Sequence, residues 1–535
     1  MKVADFFCGA GGFSEGFRQA GFEVVFALDN WSVAYKTHKL NHPNAKTYKK
    51  DITEIANMSD EEFDKYVPDT EVIIGSPPCV AFSNSNKSGK ADKTLGLDLL
   101  EAYLKIVFRK KHKKGSKLKY WILENVPNVQ HYIKDIYYSS DFNLSGDLSL
   151  VTNSSGGIYN SKYFGVASNR KRFLCGEFPE PTMTNNEKNV VTLGEILNGL
   201  GSPDDLEIKT VIDPNYKSNH NKFEITDMNY IYEIPEFEWK KAKRQKQDKG
   251  YMGRMSFPEN LDKPARTVMA TISTSSRESL IFEYKENSYR LPTVREVATI
   301  MSFPLNYLFY GDNLSNKYRL VGNAVPPKMA YAFAKAIIMD ERKSDLIVMN
   351  PIYKEKKDLP SDFVDLNNNI FELKEEKYKP LTSKFKYHLP YFIEKSFRVE
   401  LTNYYSDFRN LKFRWDVEIH KSQGKNARVY NLSFDEVDFT DIQLSKINKI
   451  IKAMGDKVPS YDILQQNYTL PLKIRMEKGV LGPEEILNLV LESLIEAELS
   501  DNLVPCKYEN QEIMIPEKIV IGYMILKKII SRGAQ

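Results

Sequence analysis

Short apolar runs that end in polar or glycine residues recur along the first third of the chain. Val3 to Phe7, Glu23 to Leu28, Val72 to Ile74 and Tyr120 to Leu123 have the length and composition of buried strands. The longer periodic stretch from Leu97 to Phe108 predicts a helix between two of them. This alternation indicates a Rossmann-like α/β domain, in which ligands bind at the carboxyl ends of the strands.

The first predicted strand runs directly into a glycine-rich turn that opens a helix, at residues 8–12. Glycines there let the backbone approach a ligand closely. The second strand ends in Asp29, 24 positions after Asp5, a spacing at which nucleotide-binding folds place an acid on a ribose. A third extended piece leads to Asp51 and Ile52, a candidate contact for a base edge, although a solvated turn aspartate fits equally well. Dinucleotide, nucleotide and adenosylmethionine sites all fit these residues.

The run Val72 to Ile74 leads into Gly75-Ser76-Pro77-Pro78-Cys79. Paired prolines fix the backbone and so set the position of the thiol that follows. Taken alone, such a thiol is more often a buried structural cysteine than a nucleophile. The following residues 84–94 are rich in Asn, Ser, Gly and Lys, which is typical of a surface loop whose side chains suit phosphate contacts.

Two later segments carry charged residues that could join Cys79. Glu124 ends the strand that begins at Tyr120, and parallel strand ends face one crevice, so we expect its carboxyl group near the thiol. Arg170 and Arg172 lie on one face of an extended segment, where either could bind a carbonyl oxygen or a carboxylate. Each arginine taken separately would more often form a surface ion pair.

The length and composition of the chain are typical of a soluble protein with more than one domain. The chain has 535 residues, of which 42% are hydrophobic and 27% charged, with a net charge of +4. We expect a cytoplasmic protein because no apolar run approaches the roughly 18 residues that span a bilayer and the start lacks a signal-peptide pattern. Cys8, Cys79, Cys175 and Cys506 are too widely spaced for a disulfide framework or a zinc pair, so no metal is expected.

Taken in order, these segments resemble the cytosine-5 DNA methyltransferase family. The resemblance covers residues 1 to about 340 and rests on six blocks, at 5–13, 77–79, 124–126, 170–172, 289–304 and 318–327. Six ordered blocks are far more specific than any one motif. Val80, the pair Ala167-Ser168 and the placement of Trp31 depart from the family pattern.

The resemblance implies S-adenosyl-L-methionine as the cofactor. Phe7 would stack on its adenine above the turn glycines, Asp29 would hold the ribose hydroxyls and Asp51 would meet the adenine amino group. Asn323 would return to the cofactor from the far end of the domain. The implied cofactor-binding residues are Phe7, Gly9, Gly11, Gly12, Asp29, Trp31, Asp51, Ile52, Pro78 and Asn323.

The resemblance also implies methylation of carbon 5 of cytosine in double-stranded DNA. Cys79 would add to carbon 6, Glu124 would hold nitrogen 3 and supply a proton, and Arg172 would bind the carbonyl oxygen, with Arg170 in the same catalytic set. The target base would have to be flipped out of the duplex. The loop at 81–94 is expected to close over it.

The implied domains are a catalytic domain at 1–180 and 285–342, a target recognition domain at 181–284, and a C-terminal accessory α+β domain at 343–535. A basic stretch at 240–254 predicts phosphate contacts, with a solvated helix face as the alternative. The predicted DNA-binding residues are Ser83, Lys87, Lys243, Arg244, Lys246 and Arg254. A restriction or defence component is a further candidate partner, through the accessory domain, and no membrane is expected.

Residues beyond 343 are not covered by the resemblance. The alternating run at 411–419 is expected to pair with 427–434, and helices are expected to end near Met454 and to span 483–500. A nuclease would need clustered carboxylates and a lysine, for which only Asp365 and Glu372-Leu373-Lys374 give a hint, so docking or DNA gripping is favoured.

Two alternatives remain for the whole protein. An RNA cytosine-5 methyltransferase would share the catalytic blocks, although the long segment between Arg172 and Tyr289 argues against it. A catalytically silent DNA-binding homologue is disfavoured because Cys79, Glu124 and Arg172 are all present.

Overall fold

The computed structural model describes residues 1–78, 94–247, 253–342, 359–422, 427–454, 458–497, 499–500, 502–509 and 511–532. The chain divides into two compact units. The first is Met1–Ile234 with Pro258–Glu372, and the second is Pro235–Phe257 with Leu373–Gln535. Among the helices of the described ranges, we find none with the length and apolarity to cross a bilayer.

Within the described ranges, the first unit holds the strands β1 to β16. They are β1 (Lys2–Phe6), β2 (Glu23–Asp29), β3 (Lys46–Lys49), β4 (Val72–Gly75), β5 (Tyr120–Asn125), β6 (Ile136–Tyr138), β7 (Ser149–Val151), β8 (Ser155–Asn160), β9 (Ser168–Asn169), β10 (Lys171–Glu177), β11 (Thr210–Ile212), β12 (Asn219–Asn221), β13 (Tyr232–Glu233), β14 (Ala265–Arg266), β15 (Phe282–Lys285) and β16 (Ser288–Leu291).

The first unit also holds the helices α1 (Gly12–Gln19), α2 (Ser32–Asn41), α3 (Ile52–Ala56), α4 (Asp60–Tyr66), α5 (Thr94–His112), α6 (Leu193–Leu200), α8 (Val294–Ile300), α9 (Leu314–Asn323) and α10 (Pro327–Arg342). Helix α7 (Glu236–Gln247), which comes between α6 and α8 in the chain, lies in the second unit. The predicted helix at 97–108 is the middle of α5.

A seven-stranded sheet in the order β3-β2-β1-β4-β5-β10-β8 organises the first unit. The strands β1 to β5 are parallel, and β10 runs antiparallel to both β5 and β8. Alternate side chains of each strand point to opposite faces, so Phe6 and Ile73 join one apolar core while Val3 and Ile74 join the other. The predicted α/β class is confirmed, and the carboxyl ends of β1, β2, β4 and β5 meet at one edge.

The last helix of the resembling region, α10, packs against α1. Their close approach depends on Gly16, where an additional methyl group would have no space. A Cβ at this position would lie 2.4 Å from the carbonyl oxygen of Pro327 and 2.5 Å from Cβ of Ala330. The sheet is thereby closed on this face by helices from the two ends of the domain.

Besides α7, the described part of the second unit holds β17 (Lys386–Glu394), β18 (Phe397–Thr402), β19 (Asp416–Lys421), β20 (Arg428–Tyr430), α11 (Asp441–Met454), α12 (Tyr461–Thr469), α13 (Leu472–Lys478), α14 (Pro483–Glu496), β21 (Leu503–Tyr508), β22 (Gln511–Pro516) and α15 (Glu517–Arg532). Four of these strands form an antiparallel sheet in the order β17-β18-β19-β20. Ile419 of β19 pairs with Tyr430 of β20, as predicted for 411–434. Helix α15 packs on this sheet, and Trp415 is buried in the same core.

The two units cut across the predicted domain boundaries at 181–284 and 343–535. Residues 235–257 of the predicted recognition segment belong to the second unit, and residues 359–372 of the predicted accessory domain belong to the first. Residues 359–372 belong to the first unit because they contact a buried ion pair there. The buried ammonium group of Lys317 lies 2.7 Å from Asp227, and the backbone N–H of Leu366 donates to the same carboxylate.

We expect Gly16→Ala to lower the free energy of unfolding of the first unit by about 1–3 kcal/mol, because the new methyl group meets a backbone oxygen that cannot move aside. Gly157→Ala is the matched control, since a Cβ there has nothing within 4 Å. Calorimetric melting of both variants checks the difference. Equal melting temperatures would contradict the proposed role of Gly16.

Candidate active site

Glu124 is the centre of a polar cluster at the carboxyl edge of the main sheet. The residue is 3% exposed at the end of β5. Its carboxylate accepts a hydrogen bond of 2.5 Å from Oγ of Ser76 and forms an ion pair of 3.1 Å with Nε of Arg172. Because Ser76 and Arg172 each hold one oxygen of this buried carboxylate, its orientation is fixed, and the carboxyl group can be presented to a ligand.

The neighbouring strands explain how this cluster is built. β4 and β5 are parallel, with Gly75 opposite Leu123, so both chains leave the sheet at the same edge. The side-chain amide of Asn125 donates to the carbonyl oxygen of Pro77 at 3.1 Å and ties the Pro-Pro segment to β5. Pro78 is exposed at the end of the described segment. Cys79 follows it and, like Ser83 and Lys87, lies outside the described residues.

Arg170 and Arg172 have different surroundings, although the sequence predicts one role for both. Arg172 reaches Glu124, whereas Arg170 is 1% exposed and donates to the backbone oxygens of Val268 and Ala324, each at 3.1 Å. Arg170 lies between β9 and β10, and its backbone N–H donates to the carbonyl oxygen of Ser168 at 2.9 Å. We therefore correct the catalytic assignment of Arg170, whose guanidinium group clamps two distant backbone segments.

The glycine-rich turn has an unusual backbone. Phe7 has φ of 58°, in the left-handed region that few non-glycine residues adopt, and Gly9 and Gly11 have φ of 54° and 90°. A Cβ on Gly11 or Gly12 would collide with protein atoms, Tyr307 Oη at 2.5 Å and Val325 O at 2.1 Å respectively. Of these three glycines, Gly9 is the one with open space beside it. Protein atoms therefore pack closely against Gly11 and Gly12, whereas the space beside Gly9 is open.

Asp29 closes this turn from the end of β2. Its carboxylate accepts hydrogen bonds from the backbone N–H groups of Gly9 and Trp31, at 2.9 and 2.8 Å. Burial raises the pKa of this carboxyl, while those hydrogen bonds and nearby Arg319 oppose the shift. The Arg319 guanidinium stacks on the Trp31 ring at 4.7 Å. Sequence reasoning missed Arg319 because its contact with Trp31 depends on how α9 packs beside α2.

Asp5 is the second acid under the turn, at the end of β1. It is 1% exposed and accepts a hydrogen bond of 2.6 Å from Oγ of Ser14, while its Oδ1 atom has no hydrogen-bond partner among the described residues. Burial raises the pKa of Asp5 to about 7. Such an orphaned buried oxygen is the type of group that a bound ligand satisfies.

The remaining predicted cofactor residues differ in exposure. Asp51 caps the start of α3. Its Oδ1 atom accepts hydrogen bonds from both the N–H and the hydroxyl group of Thr53. Ile52 is 2% exposed and belongs to the apolar core. Asn323 is exposed at the carboxyl end of α9, the helix that carries Arg319.

Two of the predicted DNA contacts are used inside the second unit. Arg244 lies 3.5 Å over the Tyr387 ring and donates to the carbonyl oxygen of His388 at 3.2 Å. Lys246 is fully buried. We correct the assignment of Lys246, because a side chain enclosed by its own unit does not present charge to a phosphate. Arg244 is partly exposed, so its DNA contact stays a prediction. Arg254 is exposed and Lys243 is partly exposed, so their DNA contacts stay predictions.

Comparison with known proteins identifies the family of the first part of the chain. A family model described as C-5 cytosine-specific DNA methylase matches residues 1–339. The chain belongs to this family. S-Adenosyl-L-methionine is the methyl donor that the family uses.

Two relatives are type II methyltransferases. M.MthTI of Methanothermobacter thermautotrophicus is 30% identical over 354 residues, which cover 64% of this chain and 98% of that protein. M.FnuDI of Fusobacterium nucleatum is 30% identical over 353 residues, which cover 63% and 94%. A crystal structure of the S. pombe Dnmt2 methyltransferase is 18% identical and covers 64% of this chain and 99% of its own, with a TM-score of 0.43.

The residues present fit the family's cofactor. The open space beside Gly9 and the orphaned Oδ1 atom of Asp5 lie at the same turn, where a ligand with donor groups can be accommodated. The carboxylate of Asp29 already orients this turn through Gly9. We therefore retain Phe7, Gly9 and Asp29 as predicted cofactor contacts.

We expect Arg170→Lys to lower the free energy of unfolding by about 1.5–3 kcal/mol, because an ammonium group cannot reach both carbonyl oxygens that the guanidinium serves. Arg172→Lys should cost less than Arg170→Lys, because it keeps a positive charge beside the buried Glu124 carboxylate. Thermal melting of the two variants compares them. A larger loss in Arg172→Lys would contradict the assignment of Arg170 as the structural arginine.

We expect Asp5 to make the protein less stable as the pH rises. The folded carboxyl has a pKa of about 7 against an ordinary value of 3.8, so only the folded state binds this proton between those pH values. The stability lost across that window is on the order of 4 kcal/mol, and Asp5→Asn should remove this loss. Denaturant titrations from pH 4 to 8 measure it, and parallel curves for both proteins would disprove it.

Proposed function

We propose that this protein transfers a methyl group from S-adenosyl-L-methionine to carbon 5 of a flipped-out cytosine in a specific duplex DNA sequence, through a covalent adduct on Cys79. The observation that carries the proposal is the cluster of Glu124, Arg172 and Ser76 at the edge of the sheet. The neighbouring strand leads from Ser76 through two prolines directly to Cys79. A carboxyl group and a guanidinium group are what a pyrimidine requires at its ring nitrogen and carbonyl oxygen.

The cofactor would be held by the glycine-rich turn. Phe7 would stack on the adenine, Asp29 would accept the ribose hydroxyls, and Asp51 would accept the adenine amino group with its uncapped oxygen. Asn323 would contact the cofactor from α9, and Trp31 and Pro78 would complete the pocket. When bound, the cofactor supplies an electrophilic methyl group on sulfur.

The chain's own residues would activate the base. The Cys79 thiolate forms a bond to carbon 6 of cytosine, and Glu124 supplies a proton to nitrogen 3, so the adduct is neutral. Arg172 hydrogen-bonds the carbonyl oxygen and holds the Glu124 carboxyl group in place. Carbon 5 is then electron-rich and takes the methyl group. A base removes the proton from carbon 5, the bond from sulfur to carbon 6 breaks, and Cys79 leaves as a thiolate while nitrogen 3 returns its proton to Glu124.

Access to the base requires that it leave the duplex, at a cost of a few kcal/mol. Residues 81–94, which follow Cys79, would close over the extruded base, with Ser83 and Lys87 on phosphates. Lys243 and Arg254 would contribute further phosphate contacts, and residues 181–284 would read the sequence. A restriction or defence component is the proposed protein partner of the C-terminal region.

Transfer of a labelled methyl group from the cofactor tests the proposal directly. Wild-type protein should label duplex DNA and not tRNA, and bisulfite sequencing should place 5-methylcytosine in one sequence context. We expect Cys79→Ala to reduce the rate by more than about 10³-fold and Glu124→Gln by about 10²-fold or more. Label in tRNA alone would show that the substrate is RNA and not DNA. Transfer to neither substrate would overturn the proposed activity.

A trapping experiment separates the covalent mechanism from other causes of lost activity. DNA with 5-fluorocytosine at the target keeps the adduct, because the fluorine on carbon 5 cannot leave as a proton does. Wild-type protein should give a complex that survives denaturing electrophoresis, and Cys79→Ala should not. Cys506→Ala is the matched control, since that thiol is buried in the second unit and should leave trapping intact.

A further inference from the structure

A polar cluster lies on the sheet of the second unit, far in sequence from the methyltransferase motifs. Glu400 of β18 pairs directly with Glu418 of β19, and His420 follows two positions later on the same face. The adjacent residues Val417 and Ile419, which flank Glu418, point to the apolar core on the other face. All three polar residues are nonetheless buried, with exposures of 6%, 2% and 6% for Glu400, Glu418 and His420.

The ligand-type atoms of these residues converge on one point. Nε2 of His420 lies 2.7 Å from Oε2 of Glu418 and 3.2 Å from Oε2 of Glu400. The three atoms are all within 4.8 Å of one another. Oε2 of Glu400 is buried and accepts no hydrogen bond from the described residues, although it is within ion-pair distance of His420 and Lys386.

The outer oxygens of both carboxylates are held by other groups. Nε of Arg398 donates to Oε1 of Glu400 at 2.5 Å, and the Tyr405 hydroxyl donates to Oε1 of Glu418. These contacts leave both Oε2 atoms directed at His420. Such outer hydrogen bonds are what orients ligands in protein metal centres.

A lysine supplies positive charge at this point. Nζ of Lys386 lies 3.1 Å from Oε2 of Glu400 and 3.5 Å from Oε2 of Glu418, and its side chain is 34% exposed. A partly exposed ammonium group is able to swing into solvent when a better cation arrives.

We propose that Glu400, Glu418 and His420 form a binding site for a divalent cation of the Mn²⁺ or Zn²⁺ class, which Lys386 occupies with its ammonium group when no metal is bound. Two carboxylate oxygens and one imidazole nitrogen suit these ions better than Mg²⁺ or Ca²⁺, which prefer all-oxygen sites.

Cation binding to the full-length protein tests this site. Calorimetric titration with MnCl2 and with ZnCl2 should show saturable binding, weakened at least about 10-fold in Glu418→Gln. Lys386→Met should bind about 10-fold more tightly, because the competing ammonium group is gone. Glu512→Gln, which alters an exposed carboxylate on β22, is the matched control and should bind like wild type.

Spectroscopy distinguishes ligation from a change in folding. The paramagnetic resonance spectrum of bound Mn²⁺ should show coupling to an imidazole nitrogen that is lost in His420→Gln, with melting temperatures recorded for every variant. If neither wild type nor Lys386→Met binds Mn²⁺ or Zn²⁺, the proposal is overturned. Equal binding by wild type and Glu418→Gln would overturn it as well, and the cluster would then be a buried ion network alone.

Discussion

The ion pair between Glu124 and Arg172 is the contact on which the candidate site depends. It joins β5 to the antiparallel strand β10 at the edge where β4 also ends, and the Ser76 hydroxyl holds the carboxylate from the third direction. A buried carboxylate is costly unless its charge is matched and its oxygens accept hydrogen bonds. The stability of the site and its chemistry are therefore served by the same atoms. A cytosine entering this edge would meet groups that are already oriented.

Buried charge recurs through the first unit, where it connects segments that are distant in sequence. Arg170 joins the backbone at Val268 to that at Ala324, and Lys317 joins Asp227 to the segment at 359–372. Each of these groups is enclosed, so removing one partner would leave the other without compensation. Such clamps fix the strand that carries Arg172 against the helices that close the domain. The same packing places Arg319 of α9 over the ring of Trp31, next to the glycine-rich turn.

The second unit uses charge in another way. Its sheet has one apolar face, which packs on α15, and one polar face whose central side chains are also buried. On the polar face two carboxylates and a histidine approach each other, with a partly exposed lysine at their meeting point. A sheet does not need such a cluster to fold, since apolar residues of the same volume serve equally well. The cluster therefore points to the cation site proposed above.

Local patterns in the sequence determined much of the first unit. Short apolar runs predicted β1, β2, β4 and β5, and the turn with Asp29 and the Pro-Pro-Cys segment marked the ends of three of them, because strand length, glycine and proline act within a few residues. Tertiary structure alone decided which charges meet. Arg170 and Arg172 are two positions apart yet face different partners, Lys246 is buried against its own unit, and Glu400 finds Glu418 only through strand pairing. These outcomes depend on contacts between residues far apart in the chain, which no local pattern records.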